Sequence, residues 1–445
     1  MKKLLISLCV LCNIAAIAQT PATTSDAKKA EIKKTQENAA TWGIKFGGYI
    51  RNDMYYDSRQ VVSARPANQG ELLLYPANKL ADMNGNDINA TPSFNATSIT
   101  SRLSGVVTGP DAFGAKTSGI LEAEFFGNAN GNENVFRLRH AYAKLDWEKT
   151  QLAFGQYWHP LFVTDCFPGV VSFNTGMPFQ AFARNPQVRL TQKLGSNFNL
   201  ILAAVSQTEA FVSPGSSTGI ALGTSIGAQT FINDAVIPNL HAQLQYKTPS
   251  LLAGVAFDYK SVRPALKVVS APGATTYLAT SENVNSTSLE AYAKVTTKDV
   301  ILKGEYLRGQ NLYDHLMIGG YLAYGVVPNI TYKPIQVNAM WFEIVGTGKK
   351  VIPGLFIGYT NNAGSTDGGN AVATYARGIA ANAASLDHIF RVAPRMEFVS
   401  GKFKFSTEIE VTSAGYGNAN NTGRVPTVAT DVTNTRLLFV TTYSF

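Results

Sequence analysis

The strongest constraint in this 445-residue chain is a two-residue hydrophobic period. It recurs in about sixteen segments that are joined alternately by very short and very long links. From Trp42 onward, Ile44, Phe46, Gly48 and Ile50 alternate with Lys45, Gly47, Tyr49, Arg51 and then Asp53. Leu121, Ala123 and Phe125 alternate with Glu122 and Glu124, and Leu240, Ala242, Leu244 and Tyr246 with His241, Gln243, Gln245 and Lys247. Successive side chains of a strand point to opposite faces, so each segment has one greasy face and one polar face. A soluble sandwich alternates in the same way, and the period alone does not choose between the two.

The links choose. Turn-forming residues crowd the short ones at 109–115, 148–149, 195–197, 248–249, 298–299, 347–353 and 400–401. The others run long, at 58–94, 158–186, 208–238, 263–284, 311–333, 362–386 and 414–432, with 128–134 the one shorter case. Short turns at one end and long loops at the other predict an all-β fold, a transmembrane antiparallel β-barrel of about sixteen strands, with periplasmic turns and extracellular loops. Lipid offers backbone groups no hydrogen-bond partner, so such a sheet must close on itself. Composition agrees: 45% of residues are hydrophobic and only 15% charged, against about 25% charged in ordinary globular chains. Past residue 18 there is no run of about 18 apolar residues to span a bilayer as a helix.

The chain divides into three parts. Lys2 and Lys3, the apolar stretch Leu4–Ala15 and Ala16-Ile17-Ala18 predict a signal peptide over 1–18, with the mature chain beginning at Gln19. Residues 19–41 are polar and rich in alanine and lysine, and read as a periplasmic leader or short helix. The barrel is predicted over 42–445. Removing Lys2 and Lys3 takes the formal charge from +8 to +6, without a basic block, which argues against nucleic acid as a partner. Cys9 and Cys12 leave with the signal, so Cys166 has no partner for a disulfide. Leu437, Phe439, Thr441, Tyr443 and Phe445 alternate to the last residue, the pattern of a C-terminal strand read by the outer-membrane assembly machinery. Trp42 and Trp147 are candidates for one aromatic girdle, and Tyr157, Trp158 and Tyr259 for the other.

Three stretches carry a more specific signal: Leu121-Glu122-Ala123-Glu124-Phe125-Phe126-Gly127, then Phe136-Arg137-Leu138-Arg139-His140-Ala141-Tyr142, then Leu152-Ala153-Phe154-Gly155-Gln156-Tyr157-Trp158. With Arg184-Asn185-Pro186-Gln187-Val188-Arg189, they resemble the DcaP-type family of trimeric sixteen-stranded porins, over about residues 98–195. The resemblance implies a homotrimer embedded in outer-membrane lipid and lipopolysaccharide. It also implies passage of small hydrophilic solutes, with anions such as dicarboxylates preferred.

In a barrel of this width selectivity comes from charged side chains and from whatever narrows the bore. Loop 158–186 is rich in phenylalanine and proline and poor in charge, so it is expected to fold inward as a constriction bearing Asp165 and Arg184. Parity places Arg102, Arg137, Arg139 and Arg189 in the lumen, with Arg391 and Arg395 on the same inward face. Glu122, Glu124, Asp53, Glu290, Glu305, Glu408 and Glu410 are inward by the same rule, and His140 outward. Fixed guanidinium groups would favour anions.

There is no G-x-S-x-G, Cys pair, H-E-x-x-H or phosphate loop, and the five histidines are scattered, so neither an enzyme nor a metal or cofactor is expected. His140 with Ser101 or Ser104 is the only opening for a hydrolase. The competing readings are a channel for passive diffusion and a surface adhesin or structural barrel whose pore the loops close.

Overall fold

The computed structural model describes residues 42–64, 70–127, 132, 134–207, 230–366 and 368–445. The signal and leader expected over 1–41 lie outside these. Sixteen strands form one sheet: β1 (Gly43–Asp57), β2 (Ser93–Thr97 and Arg102–Ala112), β3 (Ala115–Glu124), β4 (Arg137–Asp146), β5 (Thr150–Trp158), β6 (Arg184–Leu194), β7 (Phe198–Val205), β8 (Asn239–Lys247). The second half continues with β9 (Leu251–Val262), β10 (Val284–Thr296), β11 (Val300–Gln310), β12 (Gln336–Gly346), β13 (Val351–Gly364), β14 (Ala384–Ser400), β15 (Phe403–Asn418) and β16 (Thr430–Ser444). Both pieces of β2 pair with β1, so the break at 98–101 interrupts one stave rather than adding another. Neighbours are antiparallel throughout, and β1 closes on β16 with Asp53 opposite Val440. Closure removes the unpaired edges that an open sheet would present to lipid.

The links alternate as the sequence predicts. One of the two-residue links, between β2 and β3, is Phe113-Gly114 with φ of 52° and 73°, the paired positive values of the hairpin turn that matches strand twist. Beside it, Trp147 donates its indole N–H to the Phe113 carbonyl at 2.9 Å. At the other end the long loops build structure of their own. Val61–Ser63 pairs with Leu73–Pro76, and Lys267–Val269 with Tyr277–Ala279. Gly319–Val326 lies between Asn329–Pro334 and Ala371–Arg377 in a three-stranded sheet.

Burial follows the two-residue period. Over β10 buried and exposed positions alternate without a break from Val284 to Glu290 and beyond. The exposed set is apolar around the barrel: Ile44, Leu103, Leu121, Leu138, Val188, Leu240, Phe257, Leu289, Phe342, Phe390, Phe405 and Phe439 are each more than two-fifths exposed. Water tolerates no contiguous apolar belt of that extent, whereas lipid requires one. The buried set faces a lumen packed with the apolar side chains of 159–183 and of the first long loop, including Leu72, Leu74, Phe162, Met177, Phe179 and Phe182.

Two expectations are corrected, one from parity and one from the placing of aromatics at strand ends. Glu122 pairs with His140 and Ala123 with Leu138, so Arg139 is an extra residue in a β-bulge. The bulge shifts the phase of β4, and His140 turns inward instead of toward lipid. Tyr157 and Trp158 belong to the lumen rather than to a girdle: Trp158 stacks on Phe162 with centroids 4.0 Å apart, and Tyr157 packs on Tyr142 at 4.5 Å.

Candidate functional site

One wall of the lumen, β2 to β6, carries arginines. Glu124 is enclosed by three of them, with Arg102 at 3.2 Å, Arg137 at 2.6 Å and Arg139 at 2.6 Å. Glu122 accepts from Arg139 Nε at 2.8 Å. Arg184 lies between the rings of Trp158 and Phe182, 4.7 and 5.4 Å from their centroids. Arg189 covers the Tyr157 ring at 5.2 Å and gives hydrogen bonds to the Trp158 carbonyl and to Gln187 Oε1. Five guanidinium groups thus stand on this wall against the two carboxylates of Glu122 and Glu124. Guanidinium keeps its charge at every accessible pH, and the excess sets the sign of the local field.

The opposite wall is acidic, and residues 159–183 lie on it. Glu408 accepts the backbone N–H of Val171 at 2.7 Å and of Ser172 at 3.0 Å. Glu343 accepts from Gly169 N at 2.7 Å, and Glu410 from the Asn174 side chain at 2.8 Å. Cations of the wall take the loop's carbonyls: Arg51 binds Val171 O at 2.7 Å, Lys303 binds Phe167 O at 2.8 Å and Arg391 binds Met177 O at 2.6 Å. A segment with few charges of its own therefore satisfies buried carboxylates through peptide N–H groups, which otherwise would leave both partners unpaired at a cost of several kcal/mol. Phe179 seals the fit by packing on Phe356, and a Cβ at Gly358 would meet the Phe179 ring at 2.5 Å.

The residues singled out in the sequence fall into two groups. Arg102, Arg137, Arg139, Arg184, Arg189, Glu122 and Glu124 come together on the arginine wall. Arg391 and Arg395 face inward too, but across the lumen, beneath the loop, where Arg395 pairs with Glu343 at 2.7 Å and Arg391 with Glu410 at 3.4 Å. Asp165 sits on the loop and pairs with Lys247 at 2.5 Å. Cys166 is buried, its Sγ 3.4 Å from the Ala293 carbonyl, and burial pushes the thiol up to about 12. The hydroxyls of Ser101 and Ser104 are directed to the carbonyls of Arg51 and Gly47, each at 3.3 Å, rather than to His140.

Sequence reasoning missed Arg51, which pairs with Asp53, and Arg436, which pairs with Asp57 at 2.6 Å. Their alternation with apolar neighbours was the available signal. It also missed a histidine cluster at the neck of the inserted loop. His159, at the start of the loop, packs on His315 of the loop after β11 with centroids 4.6 Å apart, and both His159 and His241 of β8 approach Asp258, at 3.6 and 3.4 Å. The Phe182 N–H donates to the His315 carbonyl at 3.0 Å, tying the two loops at the same point. Burial, followed by the neighbouring His315 and His241, holds His159 well below the usual imidazole range. Burial lowers His315 as well. Among the described residues no group of three or more His, Cys, Asp or Glu stands ready to hold a metal ion.

Scans against family models and against curated proteins found no match for this sequence. Solved structures do match. The outer membrane channel DcaP of Acinetobacter baumannii aligns with a TM-score of 0.64 over 91% of this chain and 98% of that chain, at 16% identity. A loop L8 deletion mutant of OmpT, an outer membrane protein of Vibrio cholerae, aligns with 0.52 over 91% and 100%, at 11% identity. An anion-selective porin from Comamonas acidovorans aligns with 0.50 over 91% and 100%, at 12% identity. At these identities the likeness concerns the fold, and the chain has the closed antiparallel barrel of sixteen staves that outer-membrane porins share.

Proposed function

We propose that this protein is an integral outer-membrane channel for the passive diffusion of small hydrophilic solutes, with a preference for anions, and that it works as a homotrimer. The observation that carries the reading is the asymmetry of the lumen. The inserted segment docks on the carboxylate wall, whereas the wall of β2 to β6 sets five guanidinium groups against two carboxylates. Arg137, Arg139 and Arg184 are buried within it and supply field, and the partly exposed Arg102 and Arg189 are the guanidinium groups that a passing solute meets. Residues 159–183 then act as the constriction. The fold shared with an anion-selective porin supports the same direction of preference. The apolar outer belt fits a lipid environment with lipopolysaccharide on the long-loop side. At the C-terminus, Phe445 exchanges backbone hydrogen bonds with Gly48, so the last strand is paired to its final residue and ends on an exposed ring. That strand is the segment the barrel assembly machinery would bind.

Planar-bilayer recording of the purified protein in a KCl gradient tests this reading. It predicts conductance in groups of three steps and a reversal potential displaced toward chloride. Folded protein that conducts no ions would overturn it and favour a closed adhesin or structural barrel.

A further inference from the structure

The lumen holds a polar cavity of about 360 Å³ between the leading part of the inserted segment, Pro160 to Asp165, and the inner faces of β4 to β8. Its volume falls in the range of small-molecule sites, about 300–1,000 Å³. Two cations on its lining, Lys144 and Arg189, form no ion pair among the described residues, whereas the third, Lys247, is already paired with Asp165. An anionic group entering the cavity therefore meets two cations that no carboxylate pairs, while Asp165, the one carboxylate on the lining, is held by Lys247.

The rest of the lining asks for something more than charge. Gln243 and Gln245 both donate their amide nitrogen to the same hydroxyl, Tyr292 Oη, at 2.6 and 3.1 Å. Each amide spends one of its two N–H groups on the tyrosine, which fixes its orientation and leaves the cavity a second N–H to donate and a carbonyl oxygen that only accepts, a pair of needs that a hydroxyl group meets at once. Simple carboxylates have no donor for these oxygens, and hydroxyl groups do.

Building on the anion-preferring channel proposed above, we infer that this cavity is a binding subsite for small polyhydroxylated carboxylates of the sugar-acid class. The carboxylate is held by Arg189 and Lys144, and the hydroxyls donate to Gln243 and Gln245. Plain carboxylates of the same charge and carbon count meet the cations alone, and neutral sugars meet the amides alone.

The test uses the full-length protein in a planar bilayer carrying a chloride current, with gluconate, hexanoate or glucose added as probe. Gluconate and hexanoate share the charge and the six-carbon length and differ in the hydroxyls. Gluconate should block the current at a concentration about tenfold lower than hexanoate or glucose, a difference of about 1.4 kcal/mol. Arg189→Gln should weaken gluconate block about tenfold, and the double variant Gln243→Met with Gln245→Met should bring gluconate to the level of hexanoate. Equal block by gluconate and hexanoate in the unaltered protein, with anion preference present, would overturn the subsite and leave the channel standing. Absence of any conductance would remove the channel and the subsite together. The comparison of probes in the unaltered protein decides the matter even where a variant fails to assemble.

Discussion

The two walls of the lumen are built from the same residue types on the same kind of strand, yet they end differently. On β2 to β6 arginines outnumber carboxylates and gather around Glu122 and Glu124. On β9 to β15 carboxylates dominate, and each that reaches the inserted segment is satisfied by peptide N–H groups or by Arg391, Arg395 and Lys303. A charged wall can thus be a surface for solutes or a dock for the chain itself. The difference lies in what covers it, since a carboxylate such as Glu408, buried under the segment whose peptide N–H groups it accepts, is out of a solute's reach.

The largest expected effect comes from changing the balance of the arginine wall. Glu124→Gln leaves Arg102, Arg137 and Arg139 around a neutral amide, and loss of one partner from a buried ion cluster costs about 3–5 kcal/mol. The barrel should unfold at lower temperature in a gel-shift assay, and the reversal potential should move further toward chloride. A shift toward cations would break the assignment of this wall as the selective one.

On the covered wall, Glu408→Ala removes the acceptor of Val171 N and Ser172 N. Hydrogen bonds to a charged group are worth about 1.5–3 kcal/mol each, so the segment should detach in part. The expected readout is a larger and noisier single-channel conductance, and a trace identical to that of the unaltered protein would show that the acidic wall does not hold the loop.

The histidine neck gives a pH dependence whose sign follows from its depressed imidazoles. With His159 and His315 below the usual value of about 6.5, the opened neck binds more protons than the closed one, so closure is favoured above about pH 6.5 and lost as pH falls. Each histidine contributes at most about 1.4 kcal/mol per pH unit. Lys260 and Arg189 oppose a further positive charge there, while Asp258 and Asp314 favour it. Current fluctuations should therefore increase from pH 7.5 to pH 5.5, and His159→Gln should flatten that change. Equal fluctuations at both values would dismiss the neck as a titrating contact.

The smallest effect is a graded one. Lys144→Glu alters a partly solvated charge, where an interaction at about 4 Å is worth about 1–4 kcal/mol. It should lower the ratio of anion to cation permeability severalfold without changing the unfolding temperature, and an unchanged ratio would place the solute path away from β4.

Much of the barrel is legible in the order of the residues. The period of two places Arg102, Arg137, Arg139 and Arg189 inward, and the alternation of link lengths marks sixteen staves, including the weakly patterned β7 and β13. Parity fails at His140, because a bulge at Arg139 inserts one residue and no local residue type marks it. It also fails to separate Arg391 and Arg395 from the other arginines, because parity reports which face a side chain occupies and says nothing of what lies opposite.

The sequence by itself determined the closed sheet, its strand faces and its lipid belt, because these depend on the chemistry of neighbours two residues apart. Only the tertiary structure decided which wall is covered, which arginines remain beside the lumen, and that His159, His241 and His315 meet. Those outcomes rest on contacts between segments tens to hundreds of residues apart, such as Val171 with Glu408, and a one-dimensional pattern carries no measure of such distances.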